Sequence, residues 1–183
     1  MDPISQGIVG SVAAQQKSSK EKILLITIIG FLSGMAPDLD VFIRSSHDPL
    51  LAIEFHRQFT HSLIFIPFGG FICGTFFYHV LTKRKGMSIK ETYLYCTLAY
   101  ASHGILDACT SYGTQLFWPF NDFRVAWNTI SIVDPIFTIT LFTLVFLSIF
   151  RRKTIFARIA LIWVITYMSI GLIQHDRAEK VGL

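Results

Sequence analysis

The sequence predicts an all-α fold, a polytopic bundle of membrane helices, because apolar residues are abundant, occur in long runs and are flanked by basic clusters. The chain has 183 residues, of which 52% are hydrophobic and 15% are charged, and its mean hydropathy is +0.52. A soluble domain has about 25% charged residues. The length is typical of one domain, so we expect residues 1–183 to form a single integral membrane domain.

Five segments are long enough to cross or deeply enter a bilayer, since a spanning helix needs about 20 residues. They cover approximately residues 23–43, 62–82, 92–110, 133–150 and 155–173. A shorter helix is expected at residues 4–16. It either forms a hairpin with the first segment, as a re-entrant or half-buried helix, or lies in the membrane interface as an amphipathic helix. The prediction is therefore about five spanning helices plus a short N-terminal helix.

Three basic clusters set the predicted orientation, because Lys and Arg favour the cytoplasmic side. They lie at residues 17–22, 83–85 and 151–158, and alternating spans put all three on that side. The net charge of +4 thus fits membrane orientation, and no nucleic-acid partner is expected. The same alternation takes a set of polar residues to the outer face: Asp38, Asp40, His56, His61, His103, Asp107 and Asp134, together with Gln6 if residues 4–16 form a hairpin.

Two of the motifs flank the connection between the first two segments. Pro37 ends the first segment, and Asp38 and Asp40 follow it; two neighbouring carboxylates favour a cation, although a solvated helix end would look the same. His56 lies in the loop and His61 at the start of the second segment, where Thr60 or Ser62 could cap the helix. Neutral imidazole is the commonest metal ligand and also a general base.

Two further motifs lie in the second half of the chain. His103 and Asp107 are four residues apart, which places them on one helix face, either as two metal ligands or as a hydrogen-bonded pair. Asp134 precedes Pro135, a pattern that is also ordinary capping of a helix start. Buried ionisable groups are costly in a membrane and usually functional, so the convergence of these motifs at one depth favours a metal site.

At these motifs the chain resembles the YdjM-like group of inner-membrane-associated, metal-dependent hydrolases, which are distantly similar to zinc-dependent phospholipase C. The resemblance implies a helical membrane domain of the bacterial inner membrane and a divalent metal held by Asp38, Asp40, His56, His61, His103 and Asp107. Many members have Thr-His where this chain has Ser5-Gln6, and Gln is a poor zinc ligand. Gln6 is therefore expected to hydrogen-bond a metal-bound water. The matching stretches are DPISQ (2–6) with Gly10, GFLSGMAPDLD (30–40), HRQFTHS (56–62), SHGILDACTSYGTQLFWPF (102–120) and SIVDPIF (131–137).

The predicted function is a membrane-embedded metal-dependent hydrolase with its site at the outer, periplasmic face, acting on a phosphoester or a phospholipid in contact with membrane lipids. His103, Asp107 and His61 are the predicted catalytic residues, and zinc is favoured over manganese or magnesium by the histidines. Further contacts to the ligands or the substrate are expected from Gln6, Arg57, Arg124 and Asp134.

Two alternatives and one ambiguous residue stay open at this point. The metal could be structural in a non-catalytic membrane regulator, with a closed coordination shell. The chain could instead be a proton- or ion-handling transporter, which predicts polar residues continuing through the helices. Arg57 could hold an anionic substrate group such as a phosphate, or it could only anchor the chain to lipid headgroups.

Overall fold

The structure, a computed structural model, describes residues 1–43 and 56–182. Within those ranges the prediction of an all-α fold is confirmed: there are six α-helices and no β-sheet, only an isolated antiparallel bridge between Thr114 and Val125. The helices are α1 (Pro3–Gln15), α2 (Ile23–Met35), α3 (Ile66–Phe77), α4 (Ile89–Ala108), α5 (Pro135–Arg151) and α6 (Ile155–Val181). Short helical turns extend two of them: a 3₁₀ helix over Ala36–Phe42 continues α2, and 3₁₀ turns at Phe59–His61 and Leu63–Phe65 lead into α3.

Three helical stretches of the described chain are long and apolar enough to cross a membrane, namely Ile23–Phe42, Leu63–Lys85 and Ile155–Val181. The predicted number of about five spans is therefore higher than the structure supports. Helix α5 is apolar but has only 17 residues, whereas α4 has 20 residues but carries too many polar side chains. Half of α4 is buried among other helices, and this half includes the polar residues Thr92, His103 and Asp107, which therefore face protein and not lipid.

Capping interactions fix where two of the helices begin. Ser88 and Glu91 form a reciprocal capping box at α4, in which Ser88 Oγ accepts from the Glu91 amide and Glu91 Oε2 accepts from the Ser88 amide. At α5, Asp134 Oδ1 accepts from the Phe137 amide at 3.0 Å, and Pro135 occupies the first turn.

Helix α1 is the centre of the bundle. It packs antiparallel to α2 so closely that a Cβ added to Gly10 would lie 2.6 Å from the carbonyl oxygen of Gly30. Residues Ser5 through Val12 are all buried, and Ile8 and Val12 pack in one core cluster with Phe137 of α5. Of the two alternatives for residues 4–16, the structure shows the hairpin with α2. A helix lying in the membrane interface would leave one face of α1 exposed.

The three basic clusters lie together at one end of the bundle. Lys22 Nζ donates to the carbonyl of Gly86 at 2.9 Å, which joins the first cluster to the second. Gln16 Nε2 donates to the carbonyl of Ala157 at 2.9 Å, which brings the third cluster to the same end. The opposite end of α1 begins at Asp2, whose amide donates to the carbonyl of Ile132, and that end holds the histidines and aspartates of the motifs.

Candidate metal centre

Four side chains from three parts of the chain converge at the end of the bundle opposite the basic clusters. Asp38 comes from the 3₁₀ extension of α2, His61 from the turn before α3, and His103 and Asp107 from one face of α4. Each offers one ligand atom, and these atoms all lie within 4.8 Å of one another. Three of the four side chains are buried, and Asp38 is partly exposed. The cluster can therefore hold a metal ion, as the convergence of motifs predicts.

The distances fit a small tetrahedral ion. The Nε2 atoms of His61 and His103 are 2.9 Å apart. Asp107 Oδ2 lies 3.3 Å and 3.5 Å from these two nitrogens, and Asp38 Oδ1 lies 3.4 Å and 3.3 Å from them. Ligands about 2.0–2.1 Å from a tetrahedral zinc ion are about 3.3 Å from each other. The donor set, two imidazoles and two carboxylates, also suits zinc.

The surroundings of the two imidazoles aim their Nε2 atoms at the cluster. His103 Nδ1 lies 2.6 Å from the carbonyl oxygen of Gly34; a carbonyl only accepts, so Nδ1 carries the proton and donates it, which leaves a lone pair on Nε2 when the ring is neutral. His61 Nδ1 lies 2.9 Å from Thr60 Oγ1 and 3.4 Å from Asp40 Oδ2. Two Nε2 lone pairs at 2.9 Å repel each other unless a proton or a metal ion lies between them.

In the absence of a metal, a proton takes that position. Burial acts to lower the pKa of His61, but the surrounding carboxylates, Asp107 foremost, outweigh it and raise the pKa to about 10. His61 is therefore protonated at neutral pH, and a cation that enters the cluster must displace this proton.

Asp107 is held in place from the side that faces away from the histidines. Its Oδ1 accepts from Gln6 Nε2 at 2.8 Å and contacts the amino group of Met1. Its Oδ2 lies near both imidazoles and 3.3 Å from Arg57 Nε, but it has no well-aligned hydrogen bond within the described chain. A buried carboxylate oxygen without a well-aligned hydrogen bond is costly, and a cation at the cluster would satisfy it. Gln6 thus contacts a ligand, where a metal-bound water was expected.

Asp40 and His56 lie beside this cluster. His56 Nδ1 is 2.8 Å from Asp40 Oδ1, while Asp40 Oδ2 accepts from the Arg57 amide at 3.1 Å and from Thr60 Oγ1 at 2.8 Å. Asp38, Asp40 and His56 also form a second group whose ligand atoms lie close together. Both oxygens of Asp40 already have partners, so in this structure Asp40 holds the turn that carries His56 and His61.

Of the two arginines, Arg57 is buried beside the cluster and Arg124 is partly buried beside His56. Arg57 is only 6% exposed, its guanidinium lies 4.5 Å from the centre of the Tyr112 ring, and its Nη1 donates to Thr110 Oγ1 at 3.3 Å. Arg124 Nη2 donates to the carbonyl of His56 at 3.3 Å. Because the Arg57 guanidinium is buried against Asp107 and Tyr112, it does not extend from the protein surface as an anchor among lipid headgroups.

Asp134 has a structural position. Besides capping α5, its Oδ2 accepts from Tyr167 Oη at 2.7 Å, which ties α5 to α6. These contacts do not join it to the four-residue cluster, and a contact of Asp134 with substrate stays a prediction.

Sequence reasoning missed two groups that position the ligands. The sequence indicates Thr60 only as a helix cap, but in the structure its hydroxyl donates to Asp40 and its carbonyl accepts from Tyr100 Oη at 2.8 Å. The position of Thr60 directly before His61 is the signal in the sequence for this role. The Gly34 carbonyl that orients His103 has no signal in the sequence, because every residue has a carbonyl.

Comparisons with known proteins agree with the inner-membrane resemblance. The family model described as YdjM inner membrane protein matches residues 1–178. The chain is also similar to the inner membrane protein YbcI of Escherichia coli (strain K12), with 25% identity over 154 residues, which cover 81% of this chain and 82% of the relative. No solved structure matches the chain.

Proposed function

Since the chain belongs to the YdjM inner membrane protein family, we propose that it is a metal-dependent hydrolase whose ion is held by Asp38, His61, His103 and Asp107. The observation that carries this proposal is the convergence of four ligand atoms at spacings near the edges of a zinc tetrahedron. The proposed location is the periplasmic face, because the basic clusters lie at the other end of the bundle and mark the cytoplasmic side.

The proposed reaction is hydrolysis of a phosphoester, with a phospholipid as one substrate of this class. Zinc, when bound, would polarise the ester and lower the pKa of a water toward 7. A catalytic zinc site needs one position for water, so with four protein ligands the water would have to bind beside them or replace one of them. Among the four ligands, Asp38 is the one that lines the adjacent cavity and is partly exposed (23%), so the open side of the site lies there.

His56 is well placed to move protons at that open side. It lines the same cavity, and its contact with Asp40 occupies Nδ1 and leaves Nε2 as the basic atom of the neutral ring. We therefore assign His56 the role of general base, oriented by Asp40, whereas His61, His103 and Asp107 act as ligands. Arg57 also lines the cavity and supplies a positive charge for an anionic ester.

The polar side chains inside the helices support the transporter alternative less than the metal cluster supports the hydrolase. Buried polar side chains do continue along the α1–α2 hairpin: Ser11 Oγ donates to the Thr27 carbonyl, and Gln15 Nε2 donates to Thr27 Oγ1. None of these three residues titrates, so they offer no proton relay. A structural metal in a regulator predicts a closed coordination shell, and four protein ligands near tetrahedral spacing also fit that alternative. Hydrolytic activity of the zinc-loaded protein distinguishes the two.

The test combines metal content with hydrolysis of a water-soluble phosphodiester by detergent-purified protein. We expect near-stoichiometric zinc in the wild type, loss of zinc in Asp38→Ala, and retained zinc in His56→Ala with kcat lowered by about 10²–10⁴-fold, as for loss of a general base. His79→Ala, in the π-helical turn Tyr78–Thr82 that follows α3, is the control and should behave as wild type. A zinc-loaded wild type without activity would favour the regulator, and a wild type that binds no metal would overturn the proposal.

A further inference from the structure

A cavity of about 930 Å³ lies next to the candidate metal centre. Its size falls within the range of pockets that bind small molecules, about 300–1,000 Å³. Asp38, one of the four proposed ligands, forms part of its wall together with His56 and Arg57. Away from these three residues the wall is mostly apolar, and its members come mainly from α2, its 3₁₀ extension and α3: Leu32, Met35, Leu39, Phe42, Ile72 and Phe76.

The apolar wall is continuous with the surface that the helices present to lipid. Ile72 and Phe76 of α3 are 61% and 58% exposed, and Phe42 is 75% exposed. These residues belong to the stretches Ile23–Phe42 and Leu63–Lys85, two of the three that can cross a membrane. Large exposed apolar side chains on a membrane helix face lipid tails and not water. A lipid chain can thus enter the cavity from the side without leaving an apolar environment.

The polar end of the cavity suits an anionic headgroup. Arg57 is the only arginine or lysine among the described residues that line it, and it lies on the same side as the proposed ligand Asp38. The wall thus combines a long apolar surface with a polar end, formed by Asp38, His56 and Arg57, beside the metal cluster. This pattern matches a molecule with an apolar chain and an anionic ester, and a small water-soluble ester would leave the apolar wall unused.

We propose that this cavity binds an acyl chain of a membrane phospholipid, whose phosphoester then lies at Asp38, His56 and Arg57 for hydrolysis. The identity of the substrate rests on the proposed hydrolase function, whereas binding of the chain does not. The two can therefore fail separately.

The experiment fills the cavity with a larger side chain and compares substrates of different chain length. Ile72→Trp and Leu32→Trp narrow the cavity; Phe142→Trp and Ile162→Trp place the same side chain on lipid-exposed positions of α5 and α6, which are 58% and 63% exposed. Zinc-loaded proteins are assayed with long-chain phosphatidylglycerol and with a water-soluble phosphodiester. We expect the cavity variants to lose about tenfold or more in kcat/KM for the lipid alone, the size of effect that hydrophobic pockets produce. The two control variants should keep both activities.

A second measurement detects the chain without catalysis. Phosphatidylglycerol with a photoreactive group at the end of one acyl chain is incorporated into nanodiscs with each variant and irradiated. We expect labelled peptides from α2 and α3 in the wild type, and loss of that label in Ile72→Trp but not in Ile162→Trp.

The outcomes separate the two proposals. Equal lipid hydrolysis and equal labelling in cavity and control variants would overturn the lipid proposal, even if the soluble ester is hydrolysed. If no ester is hydrolysed by the zinc-loaded protein, the hydrolase proposal fails, and the labelling pattern alone decides whether the cavity binds a lipid chain.

Discussion

Two helices of this chain carry the same short pattern, a histidine followed four residues later by a carboxylate, with different surroundings. In α4, His103 Nε2 lies 3.5 Å from Asp107 Oδ2, and both side chains are fully buried. In α6, His175 Nε2 lies 3.2 Å from Glu179 Oε1, and the two side chains are 32% and 69% exposed. Spacing and distance are nearly equal. The difference is that Asp38 and His61 complete the α4 pair, so the pattern becomes a candidate metal site only where other segments add ligands.

The surroundings also explain why the two pairs differ in energy. His175 and Glu179 are both partly exposed, and an exposed pair of this kind contributes about 0–1 kcal/mol and is screened by salt. His103 and Asp107 lie where water is excluded and where charges interact strongly, so a missing partner is costly. The α4 pair should therefore be sensitive to substitution, and the α6 pair should tolerate it.

The largest expected effect is loss of the metal when the α4 histidine is removed. His103→Ala deletes one of four ligands and the hydrogen bond to the Gly34 carbonyl, so we expect the zinc dissociation constant to rise by more than about 100-fold, beyond the effect typical of outer contacts. His175→Ala is the matched control, and it should leave zinc affinity unchanged. Affinity is measured by competition with a zinc-binding dye in detergent.

Equal zinc affinities of His103→Ala and His175→Ala would contradict the difference between the α4 and α6 pairs. If both keep wild-type affinity, zinc does not bind at the buried cluster; if both lose it, the effect is on folding. Size-exclusion profiles of the two proteins separate these cases.

A smaller effect is expected from the residue behind Asp107. Gln6→Ala removes the 2.8 Å hydrogen bond that holds Asp107 Oδ1 but leaves all four ligands, so zinc affinity should fall by about 10–100-fold. Gln174→Ala, an exposed glutamine in α6, is the control. Affinity in Gln6→Ala equal to that of wild type would mean that Asp107 is not held by Gln6 when metal is bound.

The convergence of the cluster was predictable from the sequence because it depends on topology. Basic clusters and apolar segments assigned Asp38, His61, His103 and Asp107 to one end of the bundle, and the structure brings them together. The membrane helices were predictable in the same way, whereas the inner-membrane location came from the family resemblance, which the family model confirms.

Other features depend on packing that the sequence does not display. The number of spans was overestimated because α4 is buried by neighbouring helices and needs no lipid-compatible surface. The roles of Asp40 and His56 depend on how the turn at residues 56–61 directs its side chains toward Asp40. Residue type alone does not distinguish a metal ligand from a positioning residue. The cavity lies between α2 with its 3₁₀ extension and α3. It depends on how these separate segments pack, so no local sequence pattern predicts it.

The last prediction has the smallest effect per step, about tenfold per pH unit, and it compares the buried cluster with an ordinary histidine. Zinc must displace the proton of His61, whose pKa is raised to about 10 by the surrounding carboxylates, so apparent affinity should rise by about tenfold per pH unit below that value. An unperturbed histidine has a pKa of about 6.5 and would give no further rise above about pH 7. Dye competition between about pH 6 and pH 8, a window that spans the ordinary pKa, distinguishes the two. An affinity that keeps rising to the upper limit supports the buried proton, whereas a plateau near neutral pH means that the aspartates do not hold it.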